Sequence, residues 1–428
     1  MIITDDTREC REGTLFVVTG SNEHYHDQAV AKKAQLISPA EVMARFLPNP
    51  PAIIGITGTN GKTTTAAAIY SILLDLGYKA ALLGTRGFFC NDEKLAPKGL
   101  TTPQFLETFA FLLEAKARGC DYFVMEVSSH AIVQRRIEAL PFALKVHTNI
   151  TQDHLDFHKT FENYREVKRS FFTDDSLKLI NVDDPEITFN PKNASSYGIE
   201  KVATFKVDSY TLRDGIGAVV RFHDEMATID SELVGFFNLY NLVAALAAVK
   251  LVTKRSLEEI ARALENFGGV SGRMEIVSTN PMVIVDFAHT PDGMAKVIEA
   301  MKEREVIVLF GAGGDRDADK RPKMGHIAAT KAKRVYVTSD NPRSEDPHAI
   351  IEQIMQGVPS EFSERVHVIV DRREAIGQAL RELQEDEVLL ILGKGDETTQ
   401  IIGGVEHPFD DRDVVRSFLS SNIGGIKS

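Results

Sequence analysis

The sequence predicts an α/β protein of more than one domain, on three observations. Short apolar runs (AIIGI, KAALLG, YFVMEV, LKVHT) alternate with stretches whose apolar residues fall at helical spacing, the pattern of parallel strands joined by helical crossovers. A glycine-rich turn, GITGTNGKTTT from Gly55 to Thr65, separates the first of these strands from a helix. After VSGRMEI a second alternating series begins, with MVIVDF, EVIVLF, RVYVT, VHVIV and EVLLILG as its strands. At 428 residues the chain also exceeds one ordinary domain.

Taken in order, the segment up to Leu47 is short and mixed. LPNPP, Leu47 to Pro51, reads as a linker, because successive prolines block both helix and strand pairing. AIIGI then reads as a buried strand, and KTTTAAAIYSILLDL as a helix that stops at Gly77. Two α/β blocks therefore meet near Gly272, with the first fifty or so residues as a small third piece. There are no internal repeats and no low-complexity tract.

Composition narrows the class. With 43% hydrophobic and 26% charged residues, the balance is that of a soluble globular protein. No apolar run approaches the roughly 20 residues that cross a bilayer. The opening MIITDDTREC has acids where a signal peptide carries a basic flank, so a cytoplasmic protein is expected. Cys10, Cys90 and Cys120 are far apart and form no CxxC pair, which reads as free thiols in a reducing compartment. A net charge of -12 argues against binding nucleic acid or an anionic membrane. It leaves room for an anionic small substrate held by local arginines and backbone N–H groups.

The strongest local motif is the glycine-rich turn. Small residues let successive N–H groups point into one concavity, and the following helix N-terminus adds positive potential. Lys62 would reach the outer phosphates of a nucleotide, and the Thr63 hydroxyl would join a Mg²⁺ shell. Ile56 stands where a strict phosphate loop has its first glycine. The bland alternative is a turn whose lysine faces solvent; the strand–loop–helix context favours the phosphate loop.

This motif and ten further segments, in order, resemble the Mur ligase family across residues 50 to 410 or so. They are GTNGKTTT, TTP at Thr101 to Pro103, MEVSSHAIVQRR from Met125, TNITQDHLDFH from Thr148 and YREVK ending at Lys168. GFFNLYN from Gly235, SGRME from Ser271, VDFAHTPD from Val285, GAGGDRD from Gly311, DNPR from Asp340 and GKGDE from Gly393 complete the likeness. Within the family the set is most similar to the ligases that add the third residue of the peptidoglycan stem peptide.

The resemblance implies a three-domain architecture: a shortened UDP-binding N-terminal domain (1–49), a central ATP-binding phosphate-loop domain (50–271) and a C-terminal Rossmann-like amino-acid-binding domain (272–428). It implies an ATP-dependent ligase that activates the carboxylate of UDP-MurNAc-L-Ala-D-Glu as an acyl phosphate, which the amine of meso-diaminopimelate then attacks. A monomer is expected, with the C-terminal domain closing onto ATP. Gly58, Thr59, Asn60, Gly61, Lys62, Thr63 and Thr64 would hold ATP, with Asn149, Asn241, Arg273 and Asp286 as further nucleotide contacts. Cap or turn is the plainer reading of the two asparagines.

Glu126 and Thr63 would bind Mg²⁺, with His154 and Lys168 at a second ion. By resemblance Lys168 is carbamylated, because CO₂ on the amine turns a cation into a carboxylate; by its place in an amphipathic stretch it would simply be solvated. A neutral amine is needed first, so a depressed pKa is expected. Thr7, Thr101, Thr102, Ser128, Gln134 and Arg136 match positions that hold the UDP-MurNAc-dipeptide.

For the incoming amino acid, Asp340, Asn341, Pro342 and Arg343 go with meso-diaminopimelate. Arg343 can bind the distal carboxylate that lysine lacks, and would be left unpaired by lysine. Arg316, Gly393 and Glu397 complete that pocket, with Glu397 suited to the distal ammonium. Two departures stand out: Asp396 replaces the family's usual His, and the N-terminal domain is about half the usual length. Three alternatives remain: a lysine-adding ligase, a folylpolyglutamate-synthase-like ligase, and a non-catalytic nucleotide-binding relative. The last would be expected to have lost one of Lys62, Glu126, His154, Lys168 or His289, and all are present.

Overall fold

The computed structural model describes residues 2–213 and 215–423, which form two compact units. One comprises Met1–Glu232 with Phe237–Gly268, the other Leu233–Phe236 with Gly269–Ser428.

The first unit opens with a small parallel sheet of the strands Ile3–Thr4, Leu15–Val17 and Gln35–Ile37. The helix Pro39–Phe46 follows, started by Pro at its first turn and a reciprocal cap between Ser38 and Glu41. Leu15, Val17, Ile37, Val42 and Met43 pack in the same buried cluster as Ile53, Phe88 and Phe123. The N-terminal piece thus shares a core with the main sheet.

That main sheet has eleven strands. At its centre Ala52–Thr57 lies between Tyr122–Glu126 and Phe142–His147, all parallel. Ala80–Gly84 and Lys178–Asn181 flank them in parallel. These runs are apolar on both faces because helices cover the sheet. Chain direction brings the ends of the three central strands, Thr57, Glu126 and His147, to one edge, where α/β sheets bind ligands.

Beyond Ala194–Gly198, the strands Phe205–Thr211, Ile216–Phe222 and Glu225–Ser231 extend the sheet, the last two antiparallel. The run-based sequence reading does not single them out. They bury alternate residues (Phe205 and Val207; Ile216, Ala218 and Val220; Ala227 and Ile229) rather than continuous runs.

The second unit is built on six strands in the order Glu275–Thr279, Met282–Asp286, Glu387–Leu392, Glu305–Phe310, Arg334–Val337 and Val366–Val368. Only the first pairing is antiparallel. The loops after Asp286, Phe310, Val337 and Leu392 therefore leave from one edge, and they carry the VDFAHTPD, GAGGDRD, DNPR and GKGDE segments.

Candidate active site

In the first unit the glycine-rich turn runs from Thr57 to the helix Lys62–Asp75. Gly61 stands before that helix with φ 84°, and a Cβ there would lie 2.3 Å from Asn241 Oδ1, so only glycine fits. Asn241 is buried mid-helix in Phe236–Val252 and is not a cap. The first-turn N–H groups of Lys62–Asp75 have no intrahelical acceptor and face the loop's concavity.

Residues 148–151 clamp the turn. Thr59 N–H donates to Asn149 O (2.7 Å), Asn60 N–H to Asn149 Oδ1 (3.0 Å), and Asn149 Nδ2 back to Asn60 O (3.1 Å). Thr148 Oγ1 donates to Asn60 O at 2.6 Å, and Thr151 N–H to Thr59 Oγ1 at 2.9 Å. Asn149 thus meets the loop's backbone itself, a role its sequence position did not suggest.

Glu126, at the end of its strand, is 2% exposed. Its carboxylate accepts from Thr63 Oγ1 (2.9 Å), Thr85 N–H (2.8 Å) and Thr85 Oγ1 (3.2 Å). A Cβ on Gly84 would come within 2.2 Å of Glu126 Oε1. This carboxylate and hydroxyl, one residue past Lys62, are oxygen donors of the kind Mg²⁺ takes. Among the described residues no three His, Cys, Asp or Glu side chains converge on a metal position. His154 is exposed, with Nε2 3.4 Å from Asp153 Oδ2 and its ring 5.0 Å from that of His130.

Lys168 is 1% exposed, not solvated. It shares one face of the helix Phe161–Ser170 with Tyr164, whose ring centre lies 5.0 Å from its Nζ. The Lys168 amine donates to Gly58 O at 2.8 Å, and Lys62 Nζ donates to Gly58 O and Thr59 O at 2.9 Å each. Burial first, and then the nearby Lys62 charge, push the Lys168 pKa well below its ordinary value against a smaller pull from Asp153. A neutral, nucleophilic amine is the state CO₂ requires, so this residue fits a carbamate. Tyr164, which the motif reading passed over, also bonds Thr59 Oγ1 at 2.9 Å.

From Glu126 a polar chain continues. Thr85 Oγ1 lies 3.1 Å from Thr101 Oγ1, Thr102 Oγ1 donates to Glu126 O (2.9 Å), and Ser128 N–H donates to Thr102 Oγ1 (2.9 Å). Arg136 Nη1 donates to Thr102 O at 2.6 Å and its Nε to Gln134 Oε1 at 2.9 Å. Thr101, Thr102, Ser128, Gln134 and Arg136 are thus one connected group. Thr7 joins none of these bonds; its hydroxyl meets Gln28 Oε1 at 3.5 Å.

In the second unit, Asn341 bridges two loops, donating to Glu397 Oε2 at 2.8 Å and accepting from Ile401 N–H at 2.9 Å. Gln400 Nε2 donates to Asp340 O at 2.6 Å. Arg343, in the left-handed region at φ 55°, turns its Nη1 to Gly314 O at 2.6 Å. A Cβ on Gly314 would meet Pro342 O at 1.9 Å, and one on Gly393 would meet Asp340 Oδ2 at 2.5 Å. The loop carrying Arg316 therefore packs backbone to backbone on Pro342, the Asp340 side chain packs on Gly393 of the third loop, and Arg316 is exposed. Arg321, missed in the sequence, secures the glycine-rich loop by donating to Gly313 O (3.0 Å) and Glu345 (2.8 Å), and holds the Glu345 carboxyl down to about 2.

Asp286 accepts from Met274 and Ala288 N–H at 2.8 and 2.7 Å; burial raises its pKa while Arg273 opposes. Arg273 lies over the Phe287 ring at 4.5 Å, and His289 Nδ1 is 2.9 Å from Phe287 O. Asp396 packs by its backbone against Gly272, where a Cβ would come 2.0 Å from Asp396 N.

Comparison with known proteins gives a consistent result. The Mur ligase middle domain matches residues 56–249, and the Mur ligase glutamate ligase domain matches residues 272–395. The chain is 54% identical over 425 residues to the UDP-N-acetylmuramoyl-L-alanyl-D-glutamate--2,6-diaminopimelate ligase of Wolinella succinogenes, covering 99% of this chain and 97% of that one. It is 52% identical over 417 residues to the protein of the same name from Helicobacter hepaticus, covering 95% and 90%. A solved structure of a ligase of that name superposes with a TM-score of 0.71 at 29% identity, covering 99% of this chain and 95% of the other.

Proposed function

The chain belongs to the Mur ligase family, and we propose that it joins meso-diaminopimelate to the D-Glu carboxylate of UDP-MurNAc-L-Ala-D-Glu with conversion of ATP to ADP and phosphate. The relatives' names supply the substrates. The observation that carries the chemistry is the meeting of Lys62 and Lys168 on Gly58 O, next to the Thr63–Glu126 pair.

ATP would lie along the loop from Gly58 to Thr64, its phosphates on the backbone N–H groups and on Lys62 released from its own loop carbonyls. Thr63 and Glu126 would hold Mg²⁺, and carbamylated Lys168 with His154 a second ion; the metal supplies neutralisation of phosphate charge. The polar group from Thr101 to Arg136 would orient the dipeptide end of the UDP substrate, so that its carboxylate takes the γ-phosphoryl group. Excluding water there protects the acyl phosphate from hydrolysis. In the second unit Arg343 would receive the distal carboxylate of diaminopimelate and Glu397 its distal ammonium, leaving the other amine to attack the acyl carbon and expel phosphate.

We place the enzyme in the cytoplasm, where ATP and a UDP-linked precursor are found together, and expect it to act as a monomer. No helix among the described residues is long and apolar enough to cross a membrane. The test is phosphate release from ATP with each substrate omitted in turn. Release that needs both UDP-MurNAc-L-Ala-D-Glu and diaminopimelate supports the reading; release on adding folate and glutamate would overturn it.

A further inference from the structure

A buried cation of the second unit has no part in the reading above. Arg372 opens the helix Arg372–Glu382 and is 1% exposed. Its Nε and Nη2 donate to Asp411 Oδ1 and Oδ2, each at 2.8 Å, and the pair is buried on both sides. Nη2 also donates to Leu392 O at 3.1 Å, the residue before Gly393. Nη1, on the edge turned away from Asp411, is buried and has no hydrogen-bond partner among the described residues. Ser339 Oγ, beside Asp340, is in the same state. The two segments meet in the backbone: Ser339 N–H donates to Val370 O, two residues before Arg372.

Leaving such groups unpaired is costly, so their retention asks for a reason. The surroundings supply one. Around the guanidinium stand Asp411 from the helix Asp411–Ile423, Asp340 from the loop after Arg334–Val337, and Glu397 from the loop after Glu387–Leu392. Lys394 of that last loop lies 3.4 Å from Glu397. Burial draws the Arg372 pKa down, yet the three carboxylates together hold it above its usual value. Only Asp411 is bonded to it, so part of its field falls on Asp340 and Glu397.

We propose that Arg372 is a positioning residue of the amino-acid pocket: through Leu392 O it fixes the Gly393 backbone against Asp340, so that Asp340 and Glu397 are set to receive the ammonium groups of the incoming amino acid. This rests on the reading of Asp340, Gly393 and Glu397 as that pocket.

The test compares Arg372→Lys, Arg372→Met and the double variant Arg372→Met/Asp411→Leu in the full-length enzyme, reading KM for diaminopimelate, KM for ATP and kcat. Arg372→Met raises KM for diaminopimelate about tenfold or more, the effect of losing one charge-assisted contact, and leaves KM for ATP unchanged. Arg372→Lys, which keeps a cation beside Asp411, keeps KM for diaminopimelate close to the wild-type value, a rescue that a general loss of stability would not show. The double variant leaves no unpaired buried charge, so it carries the test where the single one fails to fold. Wild-type KM for diaminopimelate in the double variant would overturn the inference. Where the wild-type enzyme uses lysine instead, the diaminopimelate assignment fails, and the same comparison is made with lysine. Turnover with neither amino acid overturns both.

Discussion

Lys62 and Lys168 donate to one acceptor, the carbonyl oxygen of Gly58, at 2.9 and 2.8 Å. Two cations that close repel, and the buried one yields: Lys168 is held well below its ordinary pKa by burial and by Lys62. The phosphate loop thus holds beside Lys62 a second amine whose pKa is depressed.

Replacing Lys168 with Gln keeps a polar group but removes the site of carbamate formation. Turnover is expected to fall about 100-fold or more, as when a charge stabiliser of the transferring phosphoryl is lost. Labelled bicarbonate followed by ¹³C NMR should give a carbamate signal in the wild type and none in Lys168→Gln. Wild-type turnover in the variant would remove Lys168 from the mechanism.

Gly84→Ala places a methyl group 2.2 Å from Glu126 Oε1 and so must displace that carboxylate from Thr63 and Thr85. The Mg²⁺ concentration giving half-maximal rate should rise about tenfold or more, the usual cost of disturbing a metal ligand's support. An unchanged Mg²⁺ dependence would separate Glu126 from the metal.

Arg343→Leu removes the guanidinium proposed to read the distal carboxylate. We expect kcat/KM for diaminopimelate to fall about 100-fold and that for lysine to change little, narrowing the preference. Equal losses for both amino acids would mean that Arg343 supports the Gly314 loop rather than selecting the substrate.

His147 is buried beneath the loop, with Nε2 3.1 Å from Asp184 Oδ2 but out of hydrogen-bond alignment. Burial outweighs Asp184 and lowers the His147 pKa from the usual 6.5. Below that pH the unfolded chain takes up a proton that the folded chain refuses. Stability from this residue is therefore complete above pH 6.5 and declines as pH falls. Tm measured from about pH 7.5 to 5 should drop less steeply in His147→Gln than in the wild type. Identical slopes would contradict this.

The legible parts of the fold were those whose cause is local. Continuous apolar runs announced the parallel strands of both units, and glycines with Lys62 announced the loop before its helix. What depended on distant partners was hidden. A lysine on an amphipathic helix reads as solvated, and only the tertiary placement of Tyr164 and Gly58 buries Lys168. Arg372 finds Asp411 across 39 residues, and no spacing rule marks that pair. The strands from Phe205 to Ser231 were passed over because they alternate polar and apolar residues instead of running apolar. The bonds between the Asn149 side chain and the Asn60 backbone are hidden in the same way, since two loops 89 residues apart create them.

The most direct test is product mass after incubating the purified enzyme with ATP, Mg²⁺ and UDP-MurNAc-L-Ala-D-Glu, with meso-diaminopimelate or L-lysine supplied separately. The account predicts a UDP-MurNAc-tripeptide with diaminopimelate and none with lysine. Product with lysine alone would contradict the role given to Arg343, and no product with either would contradict the assignment itself.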